Sequence, residues 1–438
     1  MPVISIIGPK GGIGKTTLSI NTAAALTRSL GKLLTHDSVC LFDLDLRLPT
    51  ISSILESHPR KTFYDLFETL ANKTYQVDFL QSLYRILSIF KAYLDKDVKR
   101  DNPQLEKGLT LYKTLNIELF HFSEFPFGNL LHELFLERNQ IYTVGQIRTL
   151  RPLLKQIDLG EVKEVLKNLE ANSRPTADEY INYIEEFKFS LLGGEVPILG
   201  KRNHRKRINE PEFLLLFLEF VNELTERFHY VVLDTPAGGV NHLSSLMNSI
   251  DQVIFIFDMS NNIAINGSID ALHSFIDYYE DFHHDYKQGR LTGLDKAYVN
   301  RMIASKGEEA VSEILANKKF GIIFNRCQKS KEISNCLDQL REYLDTLDRL
   351  EEYKERIHTV GMVPHHKIIN ITNNRGTLFY DKDSALTNCV NLVAKNIISD
   401  NKFCPTLSNS NNEIIQFLQK NGKAGWLNPF KRMASSLG

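Results

Sequence analysis

The stretch Gly8-Pro-Lys-Gly-Gly-Ile-Gly-Lys-Thr-Thr17 decides how this chain is read. The apolar run Val3–Ile7 precedes it and has the composition of a buried parallel strand. Lys15–Leu30 follows with helical spacing, placing Leu18, Thr22, Ala25, Leu26 and Ser29 near one face, and Gly31 ends it. A glycine loop between a strand and a helix turns its backbone N–H groups inward, around phosphates. Gly11, Gly12 and Gly14 leave room and permit unusual dihedrals. In such a loop Lys15 reaches the β- and γ-phosphates and the Thr16 hydroxyl ligates Mg²⁺. Ile13 and Thr17 complete the expected nucleotide contacts.

Outward from the loop, Val39–Leu44 is a second buried strand, with Asp43 and Asp45 at its end. The opening is therefore strand, loop, helix, strand, the start of a doubly wound and mostly parallel α/β sheet. Further short strands are expected at Val196–Leu199, Tyr230–Leu233, Val253–Phe257, Phe320–Phe324 and Thr359–Val363, with helices at Pro211–Arg227, Ile263–Tyr279 and Lys331–Tyr353. Two regions interrupt this alternation. From Thr74 to about Phe189 the apolar spacing is helical, as in Phe79, Leu83, Ile86, Phe90 and Tyr93, and His283–Asn317 is a smaller helical excursion. The expected organisation is a discontinuous core at 1–73 and 190–400, a helical insertion at 74–189, and a linker with a basic amphipathic tail at 401–438.

Composition bounds the rest. With 438 residues, 42% of them hydrophobic, the chain can bury one large core with insertions or two domains. Lys and Arg number 52 against 53 Asp and Glu, so only local patches can speak for or against a nucleic-acid partner. The five cysteines (Cys40, Cys327, Cys336, Cys389 and Cys404) form no CxxC pair, which argues against a disulfide framework or a zinc site. Met1 leads at once into a strand-like run, without the basic start and long apolar core that export needs, so a cytoplasmic chain is expected.

The loop departs from the common form of its motif. Pro9 stands where a glycine is usual, and Lys10 adds a second lysine. In this the segment Lys10-Gly-Gly-Ile-Gly-Lys-Thr-Thr17 resembles the ParA/MinD family of P-loop ATPases. The resemblance implies that Lys10 crosses an ATP-bound homodimer and touches the partner's nucleotide, where a cation stabilises charge developing on the phosphoryl oxygens. Three more segments extend it. In Phe42-Asp-Leu-Asp-Leu-Arg-Leu-Pro49 the resemblance makes Asp45 the carboxylate that orients the attacking water and Asp43 a partner of Mg²⁺ through water. Tyr230-Val-Val-Leu-Asp-Thr-Pro-Ala-Gly-Gly239 looks like the strand and switch in which Asp234 holds Mg²⁺ through water, in a Pro-Ala-Gly form closer to the MinD branch. Ile322-Ile-Phe-Asn-Arg326 resembles the strand whose Asn reads adenine, which assigns Asn325, with Arg326 beside it, to the nucleotide. Val360-Gly-Met-Val-Pro364 is similar to the turn whose Pro364 flanks the base. No Asn-Lys-x-Asp guanine signature occurs, which favours ATP.

Three segments suggest where such a switch acts. The helical insertion is read either as a module for a protein activator or cargo or as a structural elaboration that buries its own core. At the C-terminus Phe430, Met433, Ala434 and Leu437 share a helical face beside Trp426 and Leu427, with Lys431 and Arg432 among them. A basic stretch of this kind suits an anionic membrane interface, or docks on the protein's own surface. The loop Lys201-Arg-Asn-His-Arg-Lys-Arg207 places Lys201, Arg202, Arg205, Lys206 and Arg207 where phosphates of DNA or lipid can be held. Three functions follow as expectations: a membrane-associated switch that positions a cellular assembly, a ParA-like ATPase bound non-specifically to DNA, or an ATP-dependent ligase for a small acid. A cluster-scaffold protein would need paired core cysteines, and none lies between Cys40 and Cys327; a bacterial tyrosine kinase would carry a tyrosine-rich tail, and the last tyrosine is Tyr380.

Overall fold

A computed structural model describes residues 2–31, 38–44, 50–57, 61–95, 103–115, 122, 125–136, 141, 143–171, 176–194, 220–221, 223–236, 250–374 and 377–422. Asp45, the expected strand Val196–Leu199, the basic loop 201–207, Gly238 and Gly239, and the tail 423–438 lie outside these residues. The chain divides into two compact units. One comprises Met1–Asp65, Thr176–Arg202 and Leu218–Gly438, and the other Leu66–Pro175 with Asn203–Phe217.

The first unit is built on an eight-stranded sheet. Its strands are β1 (Val3–Ile7), β2 (Val39–Asp43), β3 (Asn182–Ile184), β4 (Phe189–Leu192), β5 (Tyr230–Asp234), β6 (Gln252–Asp258), β7 (Phe320–Cys327) and β8 (Ile357–Pro364). They lie side by side in the order β3-β4-β2-β5-β1-β6-β7-β8. Every pairing is parallel except β3 with β4 at one edge. The central strands are buried along their whole length, which is why they read as continuous apolar runs. β1 occupies the switch point. The chain leaves it towards β2 on one side and later fills β6 to β8 on the other, and such a point opens a crevice at the carboxyl ends of the strands. The helix Lys15–Ser29 after β1 is buried from Thr17 to Thr27, not on one face only. Its Ala23-Ala24-Ala25 run lets it sit closely between the sheet and the helix Ser384–Ile398.

Two expectations change at this level. The helical spacing was carried to about Phe189, but β3 and β4 occupy 182–192 and extend the sheet beside β2. The strands are only three and four residues long, too short to establish a period of two. The Asn/Ser-rich segment after Asp400, read as a linker, is instead packed. Thr359 N–H donates to the Pro405 carbonyl (2.9 Å), Thr406 bridges His358, and the helix Asn411–Gly422 buries Ile414 and Leu418. Arg341 holds the approach to this helix, donating to the carbonyls of Leu407 (3.0 Å) and Asn409 (2.8 Å) and to the Asn411 side chain.

The second unit is helical among its described residues, with helices Pro103–Thr114, Gly128–Leu136 and Leu159–Ala171 and the greater part of the helix Phe63–Asp95. That last helix begins at Phe63, ahead of the expected boundary at Thr74. The unit closes around an aromatic-rich core of its own, in which Phe79, Phe90, Tyr112, Phe127 and Phe135 are buried. Among the described residues of the chain, no helix is long and apolar enough to cross a membrane.

Candidate functional site

The glycine loop 8–14 leaves β1 and enters the helix Lys15–Ser29. Two of its glycines are closely approached by other side chains. A Cβ on Gly8 would fall 2.1 Å from Ile13 Cδ1, whose side chain is folded under the loop. Gly14 caps the helix at φ 92°, and a Cβ there would meet Asn325 Nδ2 at 2.7 Å. Lys15 is buried, and its ammonium donates to the Lys10 carbonyl (3.0 Å), so the loop curls around its own lysine. The Lys10 side chain, by contrast, is exposed.

Under the loop sit two carboxylates. Asp43 and Asp234 end adjacent strands and are paired in register, each at most 1% exposed. Asp234 accepts from Thr16 Oγ1 (2.7 Å) through one oxygen and from Ser19 Oγ (2.9 Å) through the other. Asp43 accepts from the Ile51 amide at 3.2 Å. Two such charges, this close and out of water, favour a cation beside them. A hydroxyl with carboxylate oxygens is the hard donor set that suits Mg²⁺, completed by phosphate and water oxygens. The residues present therefore fit a magnesium nucleotide.

The opposite wall comes from the ends of β7 and β8. Asn325 Nδ2 donates to the Ile13 carbonyl at 2.6 Å, and the Arg326 guanidinium donates to the Gly12 carbonyl. Pro364 closes β8, and its neighbours Val363, His365 and His366 line the space. Between the walls is a cleft of about 550 Å³. It gathers Gly11, Gly12, Gly14, Lys15, Thr16 and Thr17 of the loop with Asn325 and Arg326, so most of the expected contacts meet at one place.

Thr50, Thr235, Ser260, Gln328, His365, His366, Ile369 and Phe379 also line the cleft and were not singled out in the sequence. Thr235, Ser260, Gln328, His365 and His366 follow within two residues of a strand end, so a rule of taking the residues just past each parallel strand would have found them. Thr50, Ile369 and Phe379 carry no such signal.

A profile described as the CobQ/CobB/MinD/ParA nucleotide binding domain matches residues 4–379. The antiactivator FleN of Pseudomonas aeruginosa is 41% identical over 66 residues, covering 15% of this chain and 21% of that protein, so the match spans about a fifth of its length. The MinD cell division protein of Aquifex aeolicus aligns at 14% identity over 91% of this chain and 97% of its own, with a TM-score of 0.39. An ATP complex of Cyanothece McdA aligns at 13% identity over 91% and 96%, with a TM-score of 0.42. A glycine loop at the switch point of a parallel sheet, and a family match across most of the length, lead to one conclusion: the chain belongs to the CobQ/CobB/MinD/ParA nucleotide-binding family.

Proposed function

We propose that this protein is an ATP-driven switch that dimerises on binding ATP, positions or regulates a cellular assembly, and is released when a partner stimulates hydrolysis. The observation that carries the reading is the division of labour between two lysines of one loop. Lys15 is drawn inside and held by the Lys10 carbonyl, while the Lys10 side chain stands exposed. One cation serves the chain's own nucleotide, and the other is available to a second copy.

The chain's residues then have distinct tasks. The loop amides and Lys15 hold the phosphates. Thr16, with Asp234 hydrogen-bonded behind it and Asp43 alongside, keeps hard oxygen atoms at the place of the cation. Mg²⁺, when bound with ATP, neutralises phosphate charge. Asp45 orients the attacking water, and Lys10 from the second copy stabilises negative charge on the transferring group. Val363, His366 and Phe379 enclose the base side of the cleft.

The basic tail from Trp426 to Leu437 takes the dimer to an anionic membrane, so the protein is cytoplasmic and peripheral on the inner face. Two weak tails on one dimer bind far more tightly than one, which makes attachment depend on ATP. The helical unit receives a protein activator or cargo.

Asp45→Ala is expected to retain ATP binding and to accumulate the dimer. This variant, sedimented with anionic liposomes and separately with duplex DNA, each with ATP or ADP, tests the reading. ATP-dependent pelleting with liposomes that is lost on truncation after Gly422 is the expected result. Salt-sensitive binding to DNA alone would move the surface to the Lys201–Arg207 segment, and normal hydrolysis by the variant would remove Asp45 from its role.

A further inference from the structure

Consecutive side chains on a strand point to opposite faces. Asn325 and Arg326 do not, because β7 slips its register against β8 between Asn325 and Cys327, and Arg326 adopts φ 61°. That backbone region is uncommon for residues other than glycine. The consequence is that two successive side chains reach the same loop. Asn325 Nδ2 donates to the Ile13 carbonyl (2.6 Å), and the Arg326 guanidinium donates to the Gly12 carbonyl. Arg326 is anchored in turn by Asp258, Nη1 to Oδ2 at 3.4 Å. Asp258 is itself 1% exposed and accepts the Ser260 N–H at 3.2 Å through its other oxygen. The Asn325 backbone is tied to the same neighbour strand, accepting from Met259 N–H at 2.9 Å.

In a trans peptide the C=O of one residue and the N–H of the next point in opposite directions. Holding the carbonyls of Gly12 and Ile13 towards β7 therefore turns the N–H groups of Ile13 and Gly14 the other way, into position for phosphate oxygens. We propose that the Asn325–Arg326 bulge is a two-pronged clamp that presets the glycine loop, and that Arg326 is a positioning residue acting through the Gly12 carbonyl, not by touching the nucleotide. An arginine kept in a conformation that glycine adopts without penalty is consistent with a side chain that has this work.

The inference rests on the reading of the cleft as the nucleotide site. The full-length protein and its Arg326→Gly and Arg326→Lys variants test it with Mg-ADP, a non-hydrolysable Mg-ATP analogue and pyrophosphate as probes. Glycine relieves the positive φ but removes the cation beside the buried Asp258, so Arg326→Gly should stay folded and melt a few degrees below the parent, and affinity is read well below that melting point. Its affinity should nevertheless fall about tenfold, by the same factor for all three probes. Arg326→Lys keeps the charge but cannot span Gly12 and Asp258, so it should recover little of the loss. In the protein without nucleotide, hydrogen exchange at the Ile13 and Gly14 amides should quicken in both variants. Unchanged affinity and unchanged exchange would overturn the clamp. So would a loss that spares pyrophosphate, which assigns Arg326 to the base or ribose, or one that grows with the number of phosphates, which assigns it to them. Failure of the parent to bind any probe would count against the nucleotide site, while the exchange measurement would still decide on the clamp.

Discussion

Lys15→Ala is expected to abolish measurable nucleotide binding, weakening it by more than about a hundredfold, or about 2.8 kcal/mol. The buried ammonium is the cation that the loop wraps, held by the Lys10 carbonyl at 3.0 Å. Against phosphate it forms charge-assisted hydrogen bonds from a side chain that is itself buried, where such bonds are stronger than in water. Alanine removes them and leaves the loop amides without the buried cation of their own chain. The surrounding core does not depend on the ammonium, so the melting temperature should move by only a few degrees, and titration with a fluorescent ATP analogue separates lost binding from lost folding. Binding within about threefold of the parent would mean that the loop holds its ligand by backbone amides alone.

Lys10→Ala should behave differently. The side chain is exposed on the loop, and its carbonyl, which survives the substitution, is the part that supports Lys15. Nucleotide affinity of the monomer should therefore change by less than about threefold. Hydrolysis should fall by about a hundredfold or more, the scale expected when a cation is withdrawn from developing phosphoryl charge. Single-turnover hydrolysis at saturating ATP reads the effect directly. Equal losses in affinity and turnover would place Lys10 on its own chain's nucleotide.

How the loop folds was legible in the sequence, because glycines at fixed spacing between a strand and a helix leave few conformations for it; the separate role of Lys10 came only from the resemblance to the ParA/MinD family. The strand ends were legible too. Asp43, Asp234 and Asn325 stand at the carboxyl ends of buried apolar runs, and the cleft forms at those ends. What escaped depends on backbone detail. Nothing in Phe-Asn-Arg-Cys announces that Arg326 takes a positive φ, so the convergence of Asn325 and Arg326 on the loop had no sequence signal. Asn325 illustrates the limit further. The resemblance assigns it to the base, and its amide also donates to the Ile13 carbonyl, a contact that nothing in the sequence announces. The packed C-terminal segment was misjudged from composition alone, although Ser410 and Glu413, three residues apart, form the reciprocal contacts that start a helix. Asn409 and Asn411 there are engaged with Arg341, Ser334 and Asp338, while Ser408 and Ser410 stay exposed.

ATP-dependent dimerisation is the property on which the proposed switch depends. Light scattering of the full-length protein after size exclusion, with Mg²⁺ and either a non-hydrolysable ATP analogue or ADP, measures it. The predicted result is twice the protomer mass of 50.2 kDa with the analogue and one protomer with ADP, and one protomer in both for Lys15→Ala. A single protomer in every condition, with nucleotide demonstrably bound, would contradict the switch and leave a monomeric nucleotide-binding enzyme in its place.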